Sequence, residues 1–118
     1  WRQQQPGKAL LIYFWADWCG GCKTTSGTIS DINADRPIIT VAMQSGPTEK
    51  VAETLRQREY AWPTIADPSA EIFRQYGFQG VPGFVIVGPD GNISSTSIGY
   101  TSEIGLRLRL WWANQFHS

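Results

Sequence analysis

The first half of the chain alternates apolar runs of strand length with one weakly amphipathic segment. The segment from Lys8 to Trp15 is almost entirely apolar and aromatic, which is typical of a central strand covered on both faces. The segment from Cys19 to about Ala34 is predicted to be a helix, with Ile29 and Ile32 on one face. Pro37–Met43 is rich in β-branched residues and predicts a second buried strand. Strand, helix and strand in this order predict a βαβ unit with two parallel strands.

Turn signals mark the elements that follow the second strand. Ser45-Gly46-Pro47 is predicted to start a helix, with Pro47 in its first turn. Val51 and Leu55, four residues apart, mark the face that this helix buries. Trp62–Ala66 then predicts a short strand.

A second helix start signal lies at Asp67 and Pro68. An aspartate N-cap followed by proline at the first helical position predicts a short helix over Ser69–Tyr76. Gly77 comes directly after it and is suited to the left-handed conformation in which many helices end.

The end of the chain predicts a hairpin and a helix. Phe84–Val87 and Ile93–Ser97 flank a short segment of turn residues, so we expect two antiparallel strands. Thr101 or Ser102 then caps a final helix that continues to about Phe116. With a parallel pair in the first half and an antiparallel hairpin here, the predicted fold is α/β with a mixed sheet.

Size and charge narrow the classes of partner. With 118 residues and 42% hydrophobic content, the chain can bury one substantial core, and we expect residues 1–118 to form a single domain. Ten basic and ten acidic side chains give a formal net charge of zero. The chain therefore lacks the excess positive charge typical of nucleic-acid binding. The longest apolar stretch, Ala9–Ala16, is far shorter than the roughly 20 residues of a transmembrane helix.

The two cysteines lie at the junction of the first strand and the first helix. In Trp18-Cys19-Gly20-Gly21-Cys22 they are separated by two residues, the spacing of redox-active dithiols. Unpaired N–H groups at a helix N-terminus favour negative charge, so we expect a lowered pKa and a nucleophilic thiolate at Cys19. Cys22, one helical turn further on, is expected to be buried and is placed to resolve a mixed disulfide. These two residues are the candidate catalytic groups.

The surroundings of the pair indicate a direction of electron flow. No histidine lies between the cysteines, and the two intervening glycines add only backbone groups. We therefore expect only a moderately lowered pKa for Cys19, and a protein that works as a reductant or isomerase rather than a strong oxidant.

Other uses of the cysteine pair are weaker or remain open. A structural zinc site needs four ligands, and His117 is the single histidine of a chain with no third cysteine. An inert structural disulfide is also a weak alternative, because the pair follows the first strand of a βαβ unit. A two-thiolate Cu(I) site is the alternative that stays open, because soft ligands select this ion. The dithiol interpretation needs no cofactor and no metal.

Two segments carry a resemblance to a known superfamily. Residues 14–23, Phe-Trp-Ala-Asp-Trp-Cys-Gly-Gly-Cys-Lys, and the later Gly80-Val81-Pro82-Gly83-Phe84 closely resemble the thioredoxin superfamily. The resemblance runs through nearly the whole chain and implies a three-layer α/β/α fold with a mixed central sheet. In that family the proline matching Pro82 is cis, faces the cysteines, and helps the preceding backbone pair with substrate. The resemblance thus implies five substrate-binding residues: Trp18, Gly20, Gly21, Val81 and Pro82.

Narrower features resemble a membrane-tethered bacterial branch of the superfamily, which includes the thioredoxins of cytochrome c maturation. The helix before Trp62 and the Pro-Asp-Gly of the hairpin carry this likeness. Gly99–Ser102 and Leu106–Ala113 resemble the C-terminal end of suppressor-of-copper-sensitivity D-type disulfide oxidoreductases. These resemblances imply a periplasmic enzyme acting on protein thiols and disulfides, linked to copper tolerance. They also imply a membrane electron donor and an inner-membrane anchor preceding this chain.

Several residues depart from the family pattern. Tyr13 stands where thioredoxin has a buried aspartate that assists proton transfer, which leaves Asp17 and Glu49 as weak candidates for that role. Gly27 occupies the position of the usual helix-kinking proline. Gly20-Gly21 replaces Gly-Pro, which either clears the approach of substrate or loosens the loop.

The tryptophans are assigned by their positions. Trp15 is expected in the core, and Trp18, beside Cys19, is expected to form an apolar lip of the site. Trp111 and Trp112 lie about 100° apart on a helix, so we expect one to face the sheet and the other to border solvent. This packing role is favoured over a membrane-binding belt.

Overall fold

The computed structural model describes residues 9–78, 80–99 and 103–116. In these ranges, the predicted elements are present in the predicted order. The strands are β1 (Leu10–Trp15), β2 (Ile38–Met43), β3 (Thr64–Asp67), β4 (Gly83–Val87) and β5 (Ile93–Ile98). The helices are α1 (Gly20–Asn33), α2 (Thr48–Arg58), α3 (Glu71–Gln75) and α4 (Glu103–Phe116).

The five strands form one mixed sheet in the order β3-β2-β1-β4-β5. β1 runs parallel to β2, with Leu11 opposite Ile38, and β2 runs parallel to β3. β4 lies antiparallel to both β1 and β5. The predicted βαβ unit, hairpin and mixed sheet are therefore confirmed. Because β1 is the middle strand, its carboxyl end places the cysteine segment at the middle of one end of the sheet.

Helices cover both faces of the sheet. Successive side chains of a strand point to opposite faces, and all six residues of β1 are buried. The Tyr13 hydroxyl lies 2.8 Å from the Thr25 hydroxyl of α1 on one face. On the other face, Phe14 packs against Phe73 of α3, with ring centroids 5.9 Å apart. α1, sheet and α3 thus form the three layers expected.

α4 packs beside α1. Arg107 donates to the carboxylate of Asp35, at 3.0 and 3.1 Å, and to the carbonyl of Asp31. The same guanidinium also pairs with Glu103 at 2.9 Å. At the other end of α4, the side-chain oxygen of Asn114 accepts a 2.7 Å hydrogen bond from the N–H of Ala9. These contacts connect α4 to the start of β1 and to the end of α1.

An aromatic cluster fills the space beneath α1 and explains one displaced boundary. Trp15 is 1% exposed, which confirms its place in the core. Trp62 stacks on Tyr60 at 4.1 Å and donates its indole N–H to the Ser30 hydroxyl of α1. Because Trp62 is held by these contacts ahead of the sheet, β3 begins at Thr64 rather than at the predicted Trp62.

The predicted start of the third helix is wrong. α3 begins at Glu71, after Ala70 in a left-handed conformation with φ of 60°. Pro68 therefore lies in a turn before the helix and does not occupy its first position. Asp67 still caps the helix, but from a greater distance: its carboxylate accepts from the N–H groups of Ile72 and Phe73. The predicted terminator is confirmed, since Gly77 has φ of 76°.

α4 is apolar on two sides. Leu106, Leu110 and Ala113 are fully buried and occupy its inward side. The opposite side, called here the outward face of α4, exposes four large apolar side chains by 52–72%: Ile104, Leu108, Trp111 and Trp112. The expectation that one of the two tryptophans faces the sheet is met in part: Trp112 lies beside Ser94 and Ser95 of β5, although both tryptophans remain more than half exposed. The predicted caps Thr101 and Ser102 lie outside the described residues. No helix in the described ranges combines the length and hydropathy that crossing a membrane requires.

Candidate active site

Cys19 and Cys22 lie where β1 leads into α1. Cys19 is the N-cap of α1, with an extended backbone, and its Sγ accepts a 3.1 Å hydrogen bond from the N–H of Cys22. The two residues are joined by a disulfide across a Cα–Cα distance of 5.3 Å. Both are largely buried, at 7% and 3% exposure, so the expected burial of Cys22 is confirmed. An N-cap sulfur is held against backbone donors that a helix start leaves unpaired.

The segment just before Cys19 is fixed by contacts from the loop that follows β2 and from α2. The N–H of Asp17 donates to the Ser45 hydroxyl at 2.9 Å, and its carbonyl accepts from Arg58 at 2.8 Å. The Asp17 carboxylate pairs with Lys50 at 3.3 Å. Both backbone polar groups of Asp17 are therefore satisfied by side chains distant in sequence. This arrangement limits the motion of the chain that presents the disulfide.

Trp18 forms an exposed apolar surface beside the disulfide. Its side chain is 59% exposed, and its indole N–H donates to the carbonyl of Gln44 at 3.1 Å. Gln44 has a positive φ of 48°, in the left-handed region. Gly20 and Gly21 form the first two positions of α1, and a Cβ added at Gly20 would have no atom within 4 Å. The first turn of α1 therefore has open space on its outer side at Gly20.

The loop before β4 comes to the same region. The Val81–Pro82 peptide bond is cis, and the carbonyl of Pro82 accepts from the N–H of Gly99 at 2.9 Å. Pro82 is buried, and Val81 is partly buried against the core. A Cβ at Gly83 would lie 3.2 Å from the ring of Phe78, so glycine allows the close packing of that ring.

One groove joins several of these residues. It has a volume of about 320 Å³ and lies between the Trp18 side, the end of β2, α3 and the loop before β4. Its lining includes Trp18, Met43, Gln44, Phe73, Arg74 and Val81. We call this space the α3 groove.

The structure thus brings together Trp18 and Val81, two of the substrate-binding candidates, on one surface. Sequence reasoning missed the contribution of Gln44 and Arg74. No local pattern could reveal them, because each comes from a different element and only the tertiary fold places them beside Trp18.

Behind the disulfide lies a pair of hydroxyl groups rather than a carboxylate. The hydroxyls of Tyr13 and Thr25 both lie within hydrogen-bonding distance of the Cys22 carbonyl, at 3.2 and 3.0 Å. Burial raises the pKa of Tyr13 well above its ordinary value. Of the two weak candidates for proton transfer, Asp17 is paired with Lys50, and Glu49 is exposed in the first turn of α2.

The described residues offer no obvious multidentate metal site. Within the described ranges, no cluster of three or more His, Cys, Asp or Glu side chains is arranged to hold an ion. The chemistry that the geometry supports at this point is that of the sulfur pair itself: opening and closing of the Cys19–Cys22 bond.

Known proteins align with most of the chain. It is 32% identical over 110 residues to a thioredoxin-like protein of Haemophilus influenzae, covering 92% of this chain and 65% of that protein. It is 24% identical over 113 residues to sporulation thiol-disulfide oxidoreductase A of Bacillus subtilis, covering 89% and 67%. The chain therefore spans about two thirds of the length of these two relatives.

Solved structures and a family profile complete the comparison. The exposed lipoprotein thioredoxin Etrx1 of Streptococcus pneumoniae superposes with a TM-score of 0.82 at 19% identity, covering 92% of this chain and 87% of that one. This likeness shows that the fold is thioredoxin-like. Residues 2–96 match the profile of the AhpC/TSA family, so the chain belongs to that family.

Proposed function

We propose that this chain is a thiol–disulfide oxidoreductase that acts on protein thiols and disulfides through Cys19 and Cys22. The observation that carries the proposal is the disulfide between the N-cap of α1 and the residue one turn inside it. The names of relatives support it, since those of Bacillus subtilis and Oceanobacillus iheyensis are thiol-disulfide oxidoreductases. We further propose that the 118 residues form one catalytic domain.

In the reductive direction, the Cys19 thiolate attacks one sulfur of a substrate disulfide. A mixed disulfide forms, and the other substrate sulfur leaves as a thiolate that takes a proton from solvent. Cys22 then loses its proton and attacks the Cys19 sulfur, which releases the second substrate thiolate and closes the Cys19–Cys22 bond. Two electrons pass from this chain to the substrate, and an external dithiol must return them.

The proposed substrate surface lies around the disulfide. Trp18 supplies an exposed apolar lip, Gly20 leaves open space on the outer side of the first helical turn, and Gly21 is the second residue of that turn. The backbone of Val81, before the buried Pro82, is proposed to pair with an extended segment of the substrate. The shared α3 groove supports this placement, because Trp18 and Val81 both line it.

The proposed direction is reductive or isomerising. Lys23 is the one cation within the first turn after the pair, and its side chain is exposed to solvent. A strong oxidant needs a strongly stabilised Cys19 thiolate, and an exposed cation contributes little to that stabilisation. We therefore expect a reduction potential between about −200 and −270 mV rather than the −120 mV of a strong oxidant. Equilibration with glutathione buffers, followed by thiol alkylation and mass spectrometry, measures this value. A potential near −120 mV would reverse the proposed direction and leave the cysteine roles intact.

The cysteine roles are tested by single substitutions. Cys22→Ser keeps the attacking thiolate and loses its resolver, so we expect it to accumulate mixed disulfides with substrate proteins. Cys19→Ser should abolish turnover and trap no partner. Mass spectrometry of adducts, after alkylation of free thiols, distinguishes the two. Trapping by the Cys19→Ser variant alone would exchange the two roles, and turnover by either variant would contradict the proposal.

Compartment and partners follow from the narrower resemblances. We propose a periplasmic location, an anchor in the inner membrane outside the 118 residues, and a membrane protein as electron donor. The pneumococcal structural neighbour, an exposed lipoprotein thioredoxin, supports a function outside the cytoplasm. A link to copper tolerance rests on the resemblance of Gly99–Ser102 and Leu106–Ala113. The alternative, a Cu(I)-binding module using the same sulfurs, is separated by titrating the reduced protein with Cu(I) beside a disulfide-reduction assay.

A further inference from the structure

We propose that the α3 groove selects substrates by charge: it binds a segment of a protein substrate in which an acidic side chain lies two residues beyond an apolar one, close to the reacting cysteine. Arg74 is the residue that recognises the acidic group. The inference rests on the oxidoreductase function proposed above, which brings a substrate cysteine to Cys19.

The floor of the groove is apolar. Met43, Ala70 and Phe73 line it and are 5%, 2% and 5% exposed. Ligand pockets for small molecules occupy about 300–1,000 Å³, and this groove of about 320 Å³ lies at the lower limit. Its size and open, apolar floor fit one or two side chains of a polypeptide rather than a cofactor.

The groove has a single charged lining residue. Arg74 lies in the last turn of α3 with an exposed side chain, and within the described ranges it makes no ion pair. Glu71, three residues before Arg74 on α3, makes no ion pair with it in the described part of the chain, and two other carboxylates are engaged elsewhere. Asp17 pairs with Lys50, and Asp67 accepts from the backbone of α3. The guanidinium is therefore available to a carboxylate from outside, which it can bind through two parallel hydrogen bonds.

The position of the groove relates it to the reacting sulfur. Trp18 is the residue before Cys19, and Val81 is the residue before the cis Pro82. An extended peptide paired with the Val81 backbone advances about 3.3 Å per residue. Side chains within a few positions of the substrate cysteine would therefore reach the space between Trp18 and α3. Because alternate side chains of an extended peptide point to the same side, the apolar floor would hold one of them and Arg74 would meet an acidic one two residues further on.

The test uses synthetic peptides that each contain an intramolecular disulfide. Each carries a leucine two residues after the first cysteine, and they differ only in having Glu, Gln or Lys two residues after that leucine. Protein reduced beforehand and freed of reductant is mixed with excess peptide, and mass spectrometry of quenched samples follows formation of the Cys19–Cys22 disulfide. The measured quantity is the ratio of the second-order rate constants for the Glu and Lys peptides.

We expect the wild-type protein to favour the Glu peptide by about threefold to fivefold, the modest size of exposed charge pairs. Arg74→Gln should bring the ratio close to one, Arg74→Glu should reverse it, and Arg74→Lys should restore part of it. Arg36→Gln is the matched control. It removes the same charge from the loop before β2, at the opposite end of the parallel strands, and should keep the wild-type ratio.

The other outcomes separate failure of this inference from failure of the proposed oxidoreductase function. A wild-type ratio of one, or an equal loss in the Arg74→Gln and Arg36→Gln variants, overturns the inference while the peptides are still reduced. The same variants are also assayed with glutathione disulfide in place of the peptides. If Arg74→Gln slows only that reaction, the cation serves a small acidic disulfide and the inference also fails. If no peptide and no small disulfide oxidises the reduced wild-type protein, the proposed oxidoreductase function fails instead.

Discussion

At the scale of single residues, Tyr13 defines what lies behind the disulfide. Where the sequence resemblance to thioredoxin implies a buried carboxylate, this chain has a phenol that is fully buried. Its hydroxyl is satisfied by Thr25 and the Cys22 carbonyl. Because burial raises its pKa, Tyr13 remains a neutral hydrogen-bonding group over the range in which cysteines titrate. Tyr13 therefore does not accept the proton that leaves Cys22.

Removing this hydroxyl has a predictable effect on stability. Tyr13→Phe should cost about 0.5–1.5 kcal/mol at neutral pH, the usual net value of one hydrogen bond, since Thr25 keeps its bond to the Cys22 carbonyl. The cost should shrink above pH 10. There the unfolded tyrosine loses its proton while the folded one keeps it, so the contribution of Tyr13 is complete below the unfolded pKa and falls as pH rises.

The measurement is urea unfolding of both oxidised proteins at pH 8 and at pH 11. The unfolding free energy of wild type relative to Tyr13→Phe should fall by about 1.4 kcal/mol for each pH unit above the unfolded value, so that at pH 11 the variant is about as stable as wild type or more stable. A gap that is the same at both pH values would contradict the assigned direction of the pKa shift.

At the scale of elements, α3 depends on a cap that precedes it by several residues. The helix has five residues, so its backbone donors lack the support that a longer helix provides. The carboxylate of Asp67 satisfies two of them, at Ile72 and Phe73, from the last position of β3. One buried side chain therefore joins the sheet to the helix that carries Arg74.

Asp67→Ala should destabilise the protein by about 1–2 kcal/mol, because it leaves the buried N–H of Phe73 and the partly buried N–H of Ile72 without their acceptor. Asp67→Asn keeps one acceptor oxygen and should cost less. Asp90→Ala is the control: Asp90 accepts from Asn92 in the exposed hairpin turn and should change stability by about 0.5 kcal/mol at most. Urea unfolding at pH 7 compares the three. If Asp67→Ala costs no more than Asp90→Ala, the capping role is wrong.

At the scale of the whole molecule, the predictable features are those written in local patterns. The apolar run of β1, the βαβ unit and the hairpin were all predictable, because period and turn residues specify them directly. The start of α3 was not, since the left-handed Ala70 and the distant cap by Asp67 depend on where β3 ends. The cysteine pair could be singled out as the candidate site from its spacing and its position after the first strand, and the structure joins the two residues in a disulfide. The α3 groove could not, because Trp18, Gln44 and Arg74 meet only in the folded chain.

The outward face of α4 has a thermodynamic consequence. Four large apolar side chains remain in water there in the folded chain, although monomers seldom expose a continuous apolar patch of this kind. Any molecule that covers this face in the folded state, and does not bind the unfolded chain, stabilises the fold by mass action. At a concentration one hundred times its Kd, the gain is about 2.7 kcal/mol. The melting temperature would therefore rise with the concentration of any molecule that covers the outward face of α4. If that molecule is a second copy of this chain, the melting temperature would rise with the concentration of the protein itself.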